Sequence, residues 1–303
     1  MSRYNLKYIY IILYALVFVS PLCQAQQLLF CVNDSDVVQN SFVMQNNVKK
    51  IMVIFQNEFV TRDGHFDSIA LKKVLDKKLP FASNVQFAFL DWEGNDIHEL
   101  YKLNRTSNFN NVVNNYVEAI KVAKRYRPKV KWSYYGLPPF IFNNRAASLS
   151  RINGLLPILI NCDFLAPVLY IPSPLSKNFS LSSQNSYIKQ IIELSLSLGD
   201  EMHKPVYPFI WHRYADYVDK NFTFKLVDSS QFKSFIRTVI SVKYHNKAVD
   251  GVIWWNSEMR NFNYRNISNI IALQKEYLNI HDWKGHQLEV LEEYYKMIKA
   301  SFN

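Results

Sequence analysis

Glycine is scarce in this chain, at 7 of 303 residues, and proline numbers only 11. That composition excludes collagen-like and low-complexity repeats. No Gly-rich phosphate loop occurs, which disfavours nucleotide-binding doubly wound folds. Cysteine is rarer still: Cys23, Cys31 and Cys162 are too few for a disulfide scaffold or a cysteine-rich zinc module. No block of Lys and Arg and no zinc-ligand spacing points to nucleic acid, so none is expected as a partner. His98, His203, His212 and His245 lack HExxH-type spacing and read as surface or loop histidines, and no metal site is expected. After the N-terminus, no apolar run reaches the length of a membrane span. Neither an internal repeat nor a linker rich in Pro, Gly or Ser divides the chain.

What remains is an apolar and aromatic chain. Hydrophobic residues make up 49% and charged residues 20%, enough to fill a core and too few charges for disorder. Aromatics reach 15%, with 19 Tyr, 21 Phe and 6 Trp, and they could be core or line a groove. At the N-terminus Arg3 and Lys7 precede an apolar run, Tyr8 to Val19, then Ser20, Pro21 and Cys23-Gln24-Ala25. This pattern predicts a secretory signal peptide over 1–25, hence a secreted protein with no stable membrane insertion after cleavage. Removing Arg3 and Lys7 takes the formal charge from +10 to +8. That charge suits an anionic partner such as an acidic polysaccharide, and equally suits ordinary solubility. Cys31 and Cys162 remain after cleavage, as a pair or as buried thiols.

Short apolar runs alternate with helical patterns, as in a parallel-sheet α/β protein. The runs are 28–32, 51–55, 85–91, 130–135, 167–171, 206–211 and 252–255. Several are apolar throughout, as strands covered on both faces should be. Helical periodicity predicts helices over 111–127, stopped by Pro128, and 186–198, stopped by Gly199. Two more are expected over 229–243, capped by Asp228, and 286–302. Seven strand–helix alternations in 26–303 predict one domain, a closed TIM-like (β/α) barrel of seven strands; a monomer is expected.

Barrel enzymes carry their chemistry at the C-terminal ends of strands. The third run ends in Asp91-Trp92-Glu93, and strand alternation puts the two acids on the same side. Crowded carboxylates raise one another's proton affinity, so one can stay protonated and serve as a general acid. Solvated loop acids are the plain alternative. Aromatics close other runs: Trp132-Ser133-Tyr134-Tyr135, Tyr170, Trp211 and Trp254-Trp255. Their faces can stack on the apolar faces of sugar rings, although any one alone is more often core.

These blocks resemble the hyaluronidases of glycoside hydrolase family 56. Val117 to Pro128 followed by Trp132-Ser133-Tyr134-Tyr135-Gly136-Leu137-Pro138 is similar to that family's helix, Arg-Pro, Trp-Gly-Tyr-Tyr and Pro pattern. Leu165 to Tyr170, Val206-Tyr207-Pro208-Phe209 and Asp250 to Trp255 resemble its later strands, and Leu90-Asp91-Trp92-Glu93 its Asp-x-Glu motif. The blocks follow the family order and cover most of the chain. The resemblance implies an irregular seven-stranded barrel and a retaining, substrate-assisted glycosidase acting on hyaluronan or chondroitin-type glycosaminoglycans. Glu93 would be the acid and then the base, and the substrate's own N-acetyl carbonyl the nucleophile. Asp91 would orient the acetamido group, with Tyr170 and Trp255 around it. Tyr134, Tyr135 and Trp211 are further candidates for binding substrate. No cofactor is implied.

The chain also departs from the pattern. Gly94-Asn95-Asp96 stands where the family has a Trp-Arg-Pro type segment, and Phe55 and Phe209 stand where it has tyrosines. The family's cysteine pairs are missing, and Cys31 and Cys162, on or before different strands, are not expected to pair. Two other readings stay open. A chitinase-like enzyme of family 18 also presents Asp-Trp-Glu, but its motif needs acids at the positions of Phe89 and Gln86. A lectin-like barrel that binds carbohydrate without turnover fits the missing tyrosines. Sequons at Asn33, Asn104, Asn178, Asn221 and Asn266 suit a secreted eukaryotic protein. Glu258 could be a further cleft acid, though a solvated loop residue is the plainer reading.

Overall fold

The computed structural model describes residues 26–32, 36–103, 105–215, 221–264 and 271–302. The expected signal peptide and the sequons at Asn33, Asn104 and Asn266 lie outside the described residues.

Six strands form one parallel sheet: β1 (Gln27–Val32), β2 (Lys49–Phe55), β3 (Phe87–Asp91), β4 (Lys131–Tyr134), β5 (Phe209–Trp211) and β6 (Gly251–Trp255), in the order β4-β3-β2-β1-β6-β5. Ten helices are described: α1 (Val37–Asn46), α2 (Ser68–Lys78), α3 (Asn95–Tyr101), α4 (Phe109–Tyr126), α5 (Arg145–Asn161), α6 (Leu181–Met202), α7 (Ser229–Ser241), α8 (Glu258–Tyr264), α9 (Ile271–Tyr277) and α10 (Trp283–Lys299).

Most strand positions are apolar because both faces are covered, the exceptions being Gln27, Lys49, Lys50, Asp91 and Lys131 near strand ends and Ser133 inside β4. Leu29, Cys31, Ile51, Val53, Phe87, Phe89, Phe209, Trp211 and Ile253 pack into one cluster. Their neighbours Phe30, Met52, Ile54, Ala88, Leu90, Ile210 and Trp254 pack into another with the helices. Alternation along each strand divides the two sets, so the sheet curls around the first cluster and the helices cover its outside. This is a TIM-barrel-like arrangement.

The expected strand at 167–171 is not a regular strand. The chain there makes only isolated bridges, Leu165 to Val206 and Val168 to Phe209 in parallel and Leu137 to Ala166 antiparallel. Leu169 N–H donates to Phe209 O at 2.9 Å, and Phe209 N–H to Pro167 O at 2.8 Å. Pro167, Pro205 and Pro208 lack the N–H that a continuous ladder needs. The same prolines shorten the expected 206–211 strand to Phe209–Trp211.

Three of the four expected helices shift by only a few residues, and one is corrected at its end. Gly199 does not stop α6, which runs on to Met202 and ends at His203 in the left-handed conformation. Gly199 serves a close approach instead. A Cβ there would sit 2.7 Å from the Lys204 carbonyl oxygen and 2.8 Å from Val206 Cγ2. Cys31 and Cys162 are free and buried, as expected. Among the described residues no helix is long and apolar enough to cross a membrane.

Candidate active site

Asp91 is the last residue of β3, half-buried, and Glu93 follows two residues on, exposed. Trp92 between them points the other way and is 2% exposed. Its indole stacks on Tyr116 at 4.4 Å and 13°. The Tyr116 hydroxyl donates to the Trp92 carbonyl at 2.7 Å. This anchor fixes the strand end so that Asp91 and Glu93 leave on the inner side. Glu93 is held again through its backbone, whose N–H donates to Gln56 Oε1 at 2.9 Å in the turn after β2. Gly94 has φ 76, and a Cβ there would lie 3.2 Å from Gln56 Nε2. The glycine thus lets the chain leave Glu93 past the Gln56 side chain.

Aromatic side chains surround this end. Tyr135 lies with its ring centroid 6.3 Å from those of both Tyr170 and Trp255. Tyr170 and Trp211 are 5.4 Å apart, and Phe55 and Trp255 6.4 Å. Burial, with the charges of Glu93 and Asp91 contributing, holds the Tyr135 phenol well above its ordinary pKa. Burial, then Tyr135 and Asp91, does the same for Tyr170. Both therefore stay protonated and able to donate. Among the described residues the Trp211 indole N–H is buried without a hydrogen-bond partner, and the Tyr170 hydroxyl lies within reach of the Tyr135 hydroxyl. Buried donors left without a partner are costly, and a ligand oxygen would satisfy them.

The structure thus brings together Asp91, Glu93, Tyr135, Tyr170, Trp211 and Trp255. It does not bring Tyr134. That side chain is 1% exposed, packs with Tyr116 on the helix side, and donates to the Tyr116 carbonyl at 2.6 Å. Parity within the Tyr134-Tyr135 pair decides this: consecutive residues of a strand face opposite ways. Beside Glu93 opens a cleft of about 500 Å³, walled by Ile97, His98, Tyr101, Phe140, Phe142 and Tyr187, among others. Sequence reasoning missed these residues and Gln56, because they lie on loops and helices without a motif. Among the described residues no group of three His, Cys, Asp or Glu side chains could hold a metal ion.

No protein-family model matches the chain. A hyaluronidase of Tabanus yao, Tab y 2.0101, is 25% identical over 150 residues. That match covers 45% of this chain and 38% of the Tabanus protein, so the chain spans well under half that relative's length. The crystal structure of bee venom hyaluronidase superposes with a TM-score of 0.56 at 16% identity, covering 84% of this chain and 97% of that one. Its complex with a hyaluronic acid tetramer gives 0.55 at 15%, covering 84% and 96%. Part of the chain is thus similar in sequence to a hyaluronidase. The solved structures extend the likeness to the fold.

In this hyaluronidase-like chain, two residues read from sequence as exposed are buried together. His212 and Glu258 are 0% and 1% exposed, against the expected surface histidine and solvated loop acid. Trp254 Nε1 donates to His212 Nδ1 at 2.9 Å. His212 Nε2 therefore carries the proton and donates to Glu258 Oε1 at 2.9 Å. Burial lowers the His212 pKa, in keeping with this neutral form. Arg213 forks onto Glu258 at 2.6 and 2.5 Å and onto Glu276 at 2.7 and 2.8 Å. Arg213 and the His212 hydrogen bond outweigh burial and hold the Glu258 carboxyl far below its ordinary range. Residues 45 apart in sequence had to meet for the charge to be buried, which no local pattern reveals. The cluster ties the end of β5 to the start of α8, directly behind Trp211 and Trp255.

Proposed function

We propose that the protein is a secreted endo-glycosidase that hydrolyses N-acetylhexosaminidic bonds of hyaluronan or chondroitin-type glycosaminoglycans. The observation that carries this reading is the presence of Asp91 and Glu93 at the end of β3, inside an aromatic mouth that holds the buried, unpartnered indole N–H of Trp211. Likeness to hyaluronidases in sequence and fold supports it. Residues 26–303 would act as one domain and a monomer, released after loss of 1–25.

In the proposed reaction Glu93 protonates the leaving glycosidic oxygen. The N-acetyl carbonyl of the substrate attacks the anomeric carbon from within the sugar, and the configuration is retained overall. Asp91 holds the acetamido N–H and balances the charge that develops there. The donors of Tyr170 and Trp211 would meet sugar oxygens, and Tyr135 and Trp255 would supply apolar faces. Glu93 then takes the proton of the attacking water. The chemistry asks for no cofactor.

A reducing-end assay against hyaluronan, chondroitin and chitin oligomers tests this reading. New ends from the first two, lost in Glu93→Gln, are expected. Phe55 and Phe209 favour a second reading, a barrel that binds sugar without turnover, and binding with no new ends at any pH would select it.

A further inference from the structure

The cleft beside Glu93 has the size of a small-ligand site, about 500 Å³. Its walls are apolar or aromatic, with Ile97, Tyr101, Phe140, Phe142 and Tyr187 among them. The Phe142 and Tyr187 rings meet edge to face at 5.6 Å and 75°. Neither Lys nor Arg lines it among the described residues, and His98 is its one side chain able to carry positive charge. In hyaluronan and chondroitin, N-acetylhexosamine alternates with a uronate, so the sugar next to a cut bond carries a carboxylate. Burying that charge against apolar walls without a cation is unfavourable. A protonated imidazole can supply the cation.

We propose that this cleft binds the sugar next to the cut bond and that His98 decides whether a uronate is accepted there. The inference rests on the glycosidase reading above and adds a specificity residue to it. Several ionisable groups surround His98. Glu93 comes from the end of β3, Tyr135 from the end of β4, Tyr101 from α3 and Tyr187 from α6. Asp96 and Glu99 share its helix. Glu99 is paired with Lys102 at 2.7 Å. Burial raises the Asp96 carboxyl, and His65 is the charge that opposes this. Arg151 lies 5.8 Å from the Tyr101 ring centroid and is not part of the cleft wall. An uncharged sugar offers hydroxyls, amides and C–H faces but no carboxylate, so its binding gains nothing from a charge on His98.

Equilibrium binding to the Glu93→Gln protein separates these terms, because it removes the Glu93 charge and stops turnover. The probes are a hyaluronan hexamer and an N-acetylglucosamine hexamer, each at about pH 5 and about pH 8, chosen to bracket the imidazole. The hyaluronan hexamer should bind roughly tenfold tighter at the lower pH, and adding His98→Ala should remove most of that gap. The neutral hexamer should respond to neither change, while Phe142→Ala weakens both ligands. A pH gap that survives His98→Ala would assign it to Asp91 or Asp96 and overturn the proposal. Equal losses for both ligands, or no binding of either, would overturn it too. The expected binding pattern without wild-type turnover would instead overturn the glycosidase reading and leave this subsite standing.

Discussion

Phe55 and Phe209 replace tyrosines of the resembling family, but their surroundings differ. Phe55 is half-buried, with its ring 6.4 Å from that of Trp255 at the mouth. Phe209 is 0% exposed and packed edge-on at 4.9 Å against both Phe89 and Tyr135. In the proposed complex a hydroxyl at Phe55 would face the sugar, whereas one at Phe209 must force its way into a filled interior. Phe55→Tyr should therefore raise kcat/KM on hyaluronan up to about tenfold, from one added hydrogen bond of ~0.5–1.5 kcal/mol. Phe209→Tyr should instead lower stability by ~1–3 kcal/mol, read by thermal unfolding.

Glu258 makes a second residue-level claim. Its carboxyl is ionised in the fold and sits below its unfolded pKa of about 4.3, so it stabilises the fold at neutral pH. That contribution is fully present above the unfolded value and drains away as pH falls below it. Glu258→Gln should cost ~3–5 kcal/mol at neutral pH, because Arg213 keeps only Glu276 as a charged partner. The deficit should shrink in acid, as a series of unfolding midpoints against pH would register. A wild-type midpoint with the same acid dependence as the variant's would show that the pair is not the source.

Among the elements, strands announced themselves and several helices did not. The runs at 28–32, 51–55 and 252–255 were legible because both faces are buried and every residue is apolar. α5 carries Gly154 and Pro157 inside it, two residues that normally break a helical reading. The chain at 167–171 has a strand's composition, but proline removes the ladder donors, so composition and hydrogen bonding disagree there. Period-two alternation singled out the acids at the end of β3, while Tyr134 shows that alternation must be counted residue by residue. Gly199 read as a helix stop because its role, admitting the Lys204 carbonyl, depends on the chain that follows. Gly199→Ala should cost ~1–3 kcal/mol through that clash, although alanine is the better helix former. An unchanged or raised melting temperature would refute the close-approach account.

For the molecule as a whole, the outer cluster holds the helices to the sheet and the inner one fills the barrel-like interior up to Asp91. The buried cluster around Arg213 and Glu258 then ties together the segments that carry Trp211 and Trp255. The central claim is that Glu93 moves the proton in a glycosidic cleavage at this mouth. Its most direct measurement is the rate of new reducing ends from hyaluronan, for the wild type and for Glu93→Gln at matched folding. General acid catalysis contributes ~10²–10⁴-fold, so the variant should lose at least a hundredfold in kcat while still binding the polymer. Equal rates for the two proteins would contradict it.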